Sequence, residues 1–260
     1  MQEFFNSVKD WFLMVWSDLV LMWNDLKDEF ILNFIEDNRW KYLVDGLKTT
    51  LLVTFFALLL GIVIGVVVAV VRSTHDKNIE DMNPGFGRFI LKFFDKVCRV
   101  YLTVIRGTPV VVQLMLIYYV ILASLTNKIL IASLAFGINS GAYVAEIIRS
   151  GIMAVDKGQF EAGRSLGFNY VQTMWHIIIP QAFKTILPTL ANEFIVLIKE
   201  TSVAGYVALQ DLTKAGDIIR SRTYSAFMPL IAVALIYLVI VMFFTWLVGK
   251  LERRLRNSDH

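Results

Sequence analysis

Glu193 is the residue of this chain with the most chemistry to offer. It lies in LPTLANEFIVLIKETS, residues 187–202, an apolar run with few charges. If that run is helical, Lys184 can reach out to an interface, and Glu193 follows about 13 Å further on at 1.5 Å per residue. That depth is near the midplane of a hydrocarbon core about 30 Å thick. A carboxylate there is costly unless it faces protein or water and has a partner. One reading makes it the anchor for a solute's ammonium group, with Asn192 beside it and Thr201 and Ser202 further along as polar lining. The other makes it half of a structural ion pair with Lys199. Other chemistries have less material. Three histidines (His75, His176, His260) and one cysteine, Cys98, are too few and too scattered for a metal cluster or an intrachain disulfide. No GxxxxGK[ST] loop is present, so an energy source must come from elsewhere.

A second set of residues suits docking rather than solute binding. Residues 161–180, EAGRSLGFNYVQTMWHIIIP, form a polar, helix-forming stretch in a greasy chain. Asp156 is a good N-cap, and Gln159 three residues on allows a capping-box bond. Residues 157–166 then read as a short helix ended by Gly167 in a left-handed conformation. Asn169 can cap a second helix, again with Gln172 three on. Ala162 and Gly163 offer a small-residue face to a partner, and Leu166 and Phe168 offer apolar anchors of the helix-in-groove kind. Glu161 and Arg164 are spaced to pair or to meet charges in the groove. Pro180 is expected to break the backbone before the next apolar run, with Pro188 as a second break. The plain alternative is a loop of two capped helices with no partner.

The elements that must position these residues are membrane spans. The 260 residues are 57% hydrophobic with a mean hydropathy of +0.61, and the apolar residues fall in blocks of about the 20 needed to cross a bilayer. Five spans are expected, at 47–71, 109–126, 129–150, 182–202 and 226–249, with 251–260 as a tail. Segment 72–108 carries seven basic against four acidic residues, and the tail is basic, whereas residues 1–46 hold nine acids and four bases. The positive-inside rule therefore sets the N-terminus outside and the C-terminus inside. Lys214, Arg220 and Arg222 in the 203–225 loop run against that rule. Gly61 and Gly65, flanked by Ala57 and Ala69, form a small-residue stripe for close helix packing. Thr108 and Pro109 read as N-cap and first residue of the second span, with Arg106 at the headgroups. Gln113 reads as a cross-helix hydrogen bonder, with solute contact as the alternative, and Glu146 with Arg149 as a pair serving as gate or scaffold.

Residues 1–46 read as an extension rather than a span. Phe4, Val8, Phe12, Val15, Leu19, Met22, Leu26 and Phe30 recur at helical spacing. Trp11, Trp16, Trp23 and Trp40 suit an interfacial position. The expectation is an amphipathic helix on the outer leaflet or along the bundle, with a partner-binding helix as the alternative. The start lacks the basic region of a cleaved signal peptide.

Glu161, Ala162, Gly163, Gly167, Ile177, Ile179 and Pro180 occupy the places of the EAA loop of permease subunits of ATP-binding-cassette importers. RGTPVVVQLMLIYY (106–119), GAYVAEIIRSGI (141–152), GQFEAGRSLG (158–167), IIIPQAF (177–183) and LPTLANEFIVLIKETS (187–202) resemble permeases for polar amino acids, of the histidine, glutamine and arginine type. The likeness covers about residues 43–250. It implies an all-α integral membrane fold of the type I importers with a cytoplasmic coupling loop, and a role as transport subunit rather than enzyme. The implied coupling residues are Glu161, Ala162, Gly163, Arg164, Leu166, Gly167 and Phe168. Asn192 and Glu193, with Thr201 and Ser202, would lie on the pathway-lining helix. The implied partners are two ATPase subunits, an external amino-acid-binding protein, a second permease subunit and membrane lipid, with no nucleic acid, cofactor or metal. The rival reading is an ion-coupled secondary transporter, which would also want an intramembrane carboxylate but has no use for an EAA loop. A membrane sensor or scaffold is a third.

Overall fold

The computed structural model describes residues 1–79 and 82–256. Helices α1 (Gln2–Phe30), α2 (Trp40–Asn78), α3 (Phe86–Gly107), α4 (Val110–Leu116) and α5 (Lys128–Met153) come first. They are followed by α6 (Lys157–Ser165), α7 (Tyr170–Thr173), α8 (Ile179–Glu200), α9 (Leu212–Thr223) and α10 (Phe227–Arg256), with no strand among the described residues. Helices α2, α5 and α10 are each long and apolar enough to cross a bilayer. Helices α3 and α4 meet the same test only as a pair, bent by 109°. Helix α8 carries Lys184, Glu193, Lys199 and Glu200 along its length.

The packing of α2 against α5 organises the bundle. A Cβ on Gly61 would meet Ser140 Oγ at 3.0 Å, and one on Gly65 would meet Val144 Cγ1 at 2.5 Å. Glycine at these two positions is what lets the helices approach so closely. The pairings rise together along both helices, so α2 and α5 run parallel. Helix α8 runs the other way, with Ile186 against Gly151 and Glu193 against Ser140. The main core joins Val53 and Ala57 of α2, Leu114 of α4, Ile131 and Phe136 of α5 and Leu197 of α8.

Several sequence boundaries move. Segment 72–108, expected as a charged loop, contains α3, a full helix packed antiparallel to α2. Its apolar residues Phe89, Phe93, Val97, Val100 and Val104 are exposed, while Asp95 and Cys98 are buried. The charges on its other face disguise it as a loop. Asp95 is held by Arg72 at 3.2 Å and Arg99 at 2.7 Å. Thr108 does not cap α4: its hydroxyl donates to Val104 O and accepts from Gln113. Helix α2 begins at Trp40, ahead of the expected start at 47, because nothing between Trp40 and Gly46 breaks a helix. Helix α10 continues through the expected tail boundary to Arg256, and residues 257–260 lie outside the described residues.

Helix α1 forms as its spacing predicts, and its exposed tryptophans fit the interfacial alternative better than packing along the bundle. Trp11, Trp16 and Trp23 stay exposed, and in its last turns Trp23, Leu26 and Phe30 approach Met228. Phe4, Val8 and Phe12 fall outside the described side chains. Its base is fixed. Asn33 is fully buried and accepts from Thr223 Oγ1 at 2.7 Å, and Phe34 is packed among Leu43, Leu212 and Ile219. The 203–225 segment is likewise structured: Asp211 caps α9 through the backbone N–H groups of Thr213 and Lys214, and burial pushes its carboxyl up. Lys214 and Arg220 both pair with Asp217, so two of the three cations that oppose the charge rule are locally neutralised.

Candidate coupling segment and pathway residues

The segment between α5 and α8 is a helix–turn–helix whose ends are chemically closed. The Asp156 carboxylate accepts from Gly158 N at 2.6 Å. Gln159 does not complete a capping box; its amide oxygen accepts from Gln181 instead. Helix α6 ends in a Schellman turn: Gly167 N donates to Arg164 O and Phe168 N to Gly163 O, with Gly167 at φ +82°. Asn169 and Gln172 then make a full capping box.

Of the expected coupling residues, Glu161, Ala162, Arg164, Leu166, Gly167 and Phe168 are exposed, Leu166 at 72%. Gly163 is not: it is buried, and a Cβ there would meet Thr173 Cγ2 at 2.7 Å. Its small size lets α6 lie on α7 rather than admitting a partner. Glu161 and Arg164 form no ion pair among the described residues. Tyr170, half-buried behind the turn, has its phenol pushed up by that burial.

Pro180 breaks nothing. Helix α7 passes through a π-helical turn, Met174–Ile178, directly into α8, with right-handed helical angles at each junction. The wider turn accommodates the residue that lacks an N–H. Pro188 is also inside the continuous α8. Residues 170–200 are therefore one rod, with the α6–α7 turn at one end and Glu193 towards the other.

Glu193 is 7% exposed and accepts from Ser140 Oγ at 2.9 Å. Among the described residues it makes no ion pair, with Lys199 or any other cation. Asn192 points elsewhere and is exposed, so adjacent residues that looked like one site face different sides of α8. Thr201 is buried and its hydroxyl donates to Ile198 O, while Ser202 is half-buried in the following 3-10 turn. Gln113 accepts from Asn139 Nδ2 at 2.9 Å and donates to Ile105 O, tying α4 to α5 as expected. Glu146 pairs with Arg149 at 2.7 Å, and Arg106 lies 3.8 Å from Glu146 rather than standing free at headgroups. Sequence reasoning missed Asn139, Ser140 and Asp95, whose only signal was polarity inside helical apolar runs. It also missed that His75, Asp76 and Asp95 come within 4.8 Å of one another. The two guanidinium groups already on Asp95 make that cluster an ion-pair network rather than a cation cage.

Residues 85–257 match the family described as binding-protein-dependent transport system inner membrane component. The chain belongs to that family. This inner membrane component is 35% identical over 217 residues to the putative glutamine transport system permease protein of Rickettsia bellii, covering 82% of this chain and 93% of the relative. It is 34% identical to the arginine transport system permease protein of Bacillus subtilis, over 84% and 94% of the two chains. A crystal structure of an amino acid ABC transporter with histidines superposes with a TM-score of 0.73 at 41% identity, over 85% of this component and 98% of that chain. The methionine transporter MetNI, in an inward-facing conformation, shares the fold at 20% identity with a TM-score of 0.67.

Proposed function

We propose that the chain is the permease subunit of an ATP-driven importer of polar amino acids. The observation that carries this reading is the capped, exposed α6–α7 segment running without a break into the helix that bears Glu193, in a member of a binding-protein-dependent transport family. Two copies of the permease, or one with a close paralogue, enclose the pathway. Two ATPase subunits seat the α6–α7 segments through Leu166, Phe168, Glu161 and Arg164, and Ala162 leaves room for close approach. ATP hydrolysis belongs to those partners. An external binding protein delivers the solute. In this reading five spans, α2, the bent α3–α4 pair, α5, α8 and α10, put the two termini on opposite sides of the cell membrane, and the charge distribution supports an N-terminus outside and a coupling segment inside. The amino-acid cargo follows from relatives named for glutamine and arginine.

Because residues 170–200 form one rod, closure of the two ATPase subunits displaces α8 as a lever. Glu193 and its Ser140 donor provide a buried negative site for an ammonium group, and Asn192, Thr201 and Ser202 contribute polar lining at different turns. The ion-coupled alternative has only Glu193 in its favour. The test is uptake of polar amino acids by vesicles holding the permease, its ATPase and its binding protein. Uptake that needs ATP and stops with vanadate supports the reading; uptake driven by an ion gradient without ATP overturns it.

A further inference from the structure

Two cavities meet beside the coupling segment. An apolar groove of about 500 Å³ runs between α2 and the α7–α8 rod, lined by Val66 and Val70 on one side and Trp175, Ile179 and Phe183 on the other. Next to it lies a pocket of about 330 Å³ whose walls, among the described residues, include Lys77, Lys157 and Arg164 against one carboxylate, that of Glu161. Ile152 and Tyr170 line both, so the two cavities adjoin at these side chains. Lys77 Nζ is held 2.9 Å from the Phe160 ring centroid, which fixes one cation at the pocket wall. Ser73, only 7% exposed, also lines the groove, and its buried hydroxyl has no hydrogen-bond partner among the described residues.

We infer that this composite cavity binds an anionic phospholipid, one acyl chain in the groove and the phosphate at Lys77, Lys157 and Arg164. Each part of the site answers a different part of that molecule. The groove is apolar and flanked by Trp175 and Tyr170, residue types that sit at the headgroup level. The three cations supply the charge that selects an anionic headgroup. Ser73 supplies a donor between them for an ester oxygen, which ends the isolation of a buried hydroxyl. A free phosphate would leave the groove unexplained. A second copy of this chain fits worse: its least buried spanning helix, α10, ends in Lys250, Arg253 and Arg254, which would bring like charge to the cationic end. The inference rests on the proposed topology only in setting that end at the cytoplasmic leaflet. Because Arg164 belongs to both the lipid seat and the coupling segment, bound lipid would bear on coupling.

Native mass spectrometry of the full chain in its detergent-solubilised complex tests this without relying on transport. The probes are dioleoyl phosphatidylglycerol, dioleoyl phosphatidylcholine and glycerol 3-phosphate. The expected result is retention of phosphatidylglycerol in preference to phosphatidylcholine, with no retention of glycerol 3-phosphate. Lys77→Gln with Lys157→Gln should cut the preference by roughly thirtyfold, from about one interaction lost per cation, and Val70→Trp should displace both lipids. The mass of the assembly reports in the same spectrum whether each variant still folds and associates. Equal retention of the two lipids by the parent, undiminished preference in the double variant, or binding of glycerol 3-phosphate alone would each overturn the assignment. Loss of association in Val70→Trp with lipid still bound would make the groove an interface between copies. Failure of ATP-driven uptake would count against the transport reading and leave the lipid count untouched.

Discussion

Glu193 shows how far a residue can be read without its neighbours. Its depth in an apolar helix is visible in sequence, but the partner is Ser140 rather than Lys199, because a contact across helices depends on register that no local pattern encodes. The Ser140 hydroxyl donates to the Glu193 carboxyl, and no cation stands beside it among the described residues. Glu193→Gln should therefore abolish uptake, or shift preference away from cationic amino acids, while ATPase copurification survives. Ser140→Ala should lower stability by about 1–3 kcal/mol by stranding a buried acceptor, and much less in the Glu193→Gln background. A double-mutant cycle of thermal stability and uptake decides it; full uptake in Glu193→Gln removes the residue from the pathway. Gly167, at φ +82°, is the opposite case, since its spacing after α6 announces the left-handed turn. Gly167→Val should strain that turn by about 1–2 kcal/mol or more and release the ATPase from an otherwise inserted permease. Normal copurification and a parental transport rate would refute the docking role.

The α7–α8 rod makes its claim as an element. Pro180 read alone signals a break, yet a π-helical turn removes the clash and keeps the helix continuous. If the rod is a lever, softening it should uncouple without undocking. Thr185→Gly with Thr189→Gly replaces two exposed side chains, the bond from the Thr189 hydroxyl to Thr185 O lying within the helix, at roughly 0.3–0.5 kcal/mol each in helix propensity. Such a variant should copurify with ATPase but lose most of the stimulation of hydrolysis by substrate; unchanged stimulation would show that the stiffness is irrelevant. Helix α1 tests differently. Its Trp-rich length is exposed, whereas its base is latched through Asn33 and Thr223. Removal of residues 1–28 should leave insertion and uptake intact. Asn33→Ala should lower the melting temperature, losing about 1 kcal/mol from the Thr223 bond and the buried amide's packing, since the Thr223 hydroxyl keeps Ile219 O as an acceptor. A stability loss on truncation equal to that of Asn33→Ala would mean that α1 itself packs on the bundle.

At the scale of the whole molecule, the proposed orientation has a direct check. Single cysteines at positions 10, 160 and 258 in a Cys98→Ser background should label from outside, inside and inside respectively. External labelling of position 160 would invert the scheme, and with it the coupling assignment. The packing agrees with such a layout. Helices α2 and α5 run parallel and α8 antiparallel, so the end of α2, where Lys77 meets Phe160, shares one side with the coupling segment. The α1 base and α9 gather around the start of α2 at the other.

The all-α membrane class, the caps of the coupling segment and the glycine stripe were legible in the sequence, because each rests on periodicity or on backbone geometry that a local run of residues dictates. The amphipathic period of α3 was present too, but interleaved charge made it look like a loop. Tertiary structure alone decided which buried polar groups meet. It turned Gly163 inward against Thr173, gave Glu193 to Ser140 while leaving Asn192 on another face, and set two guanidinium groups on Asp95. These are contacts between residues distant in the chain. They follow from helix register and from the close approach that Gly61 and Gly65 permit, which no segment specifies by itself.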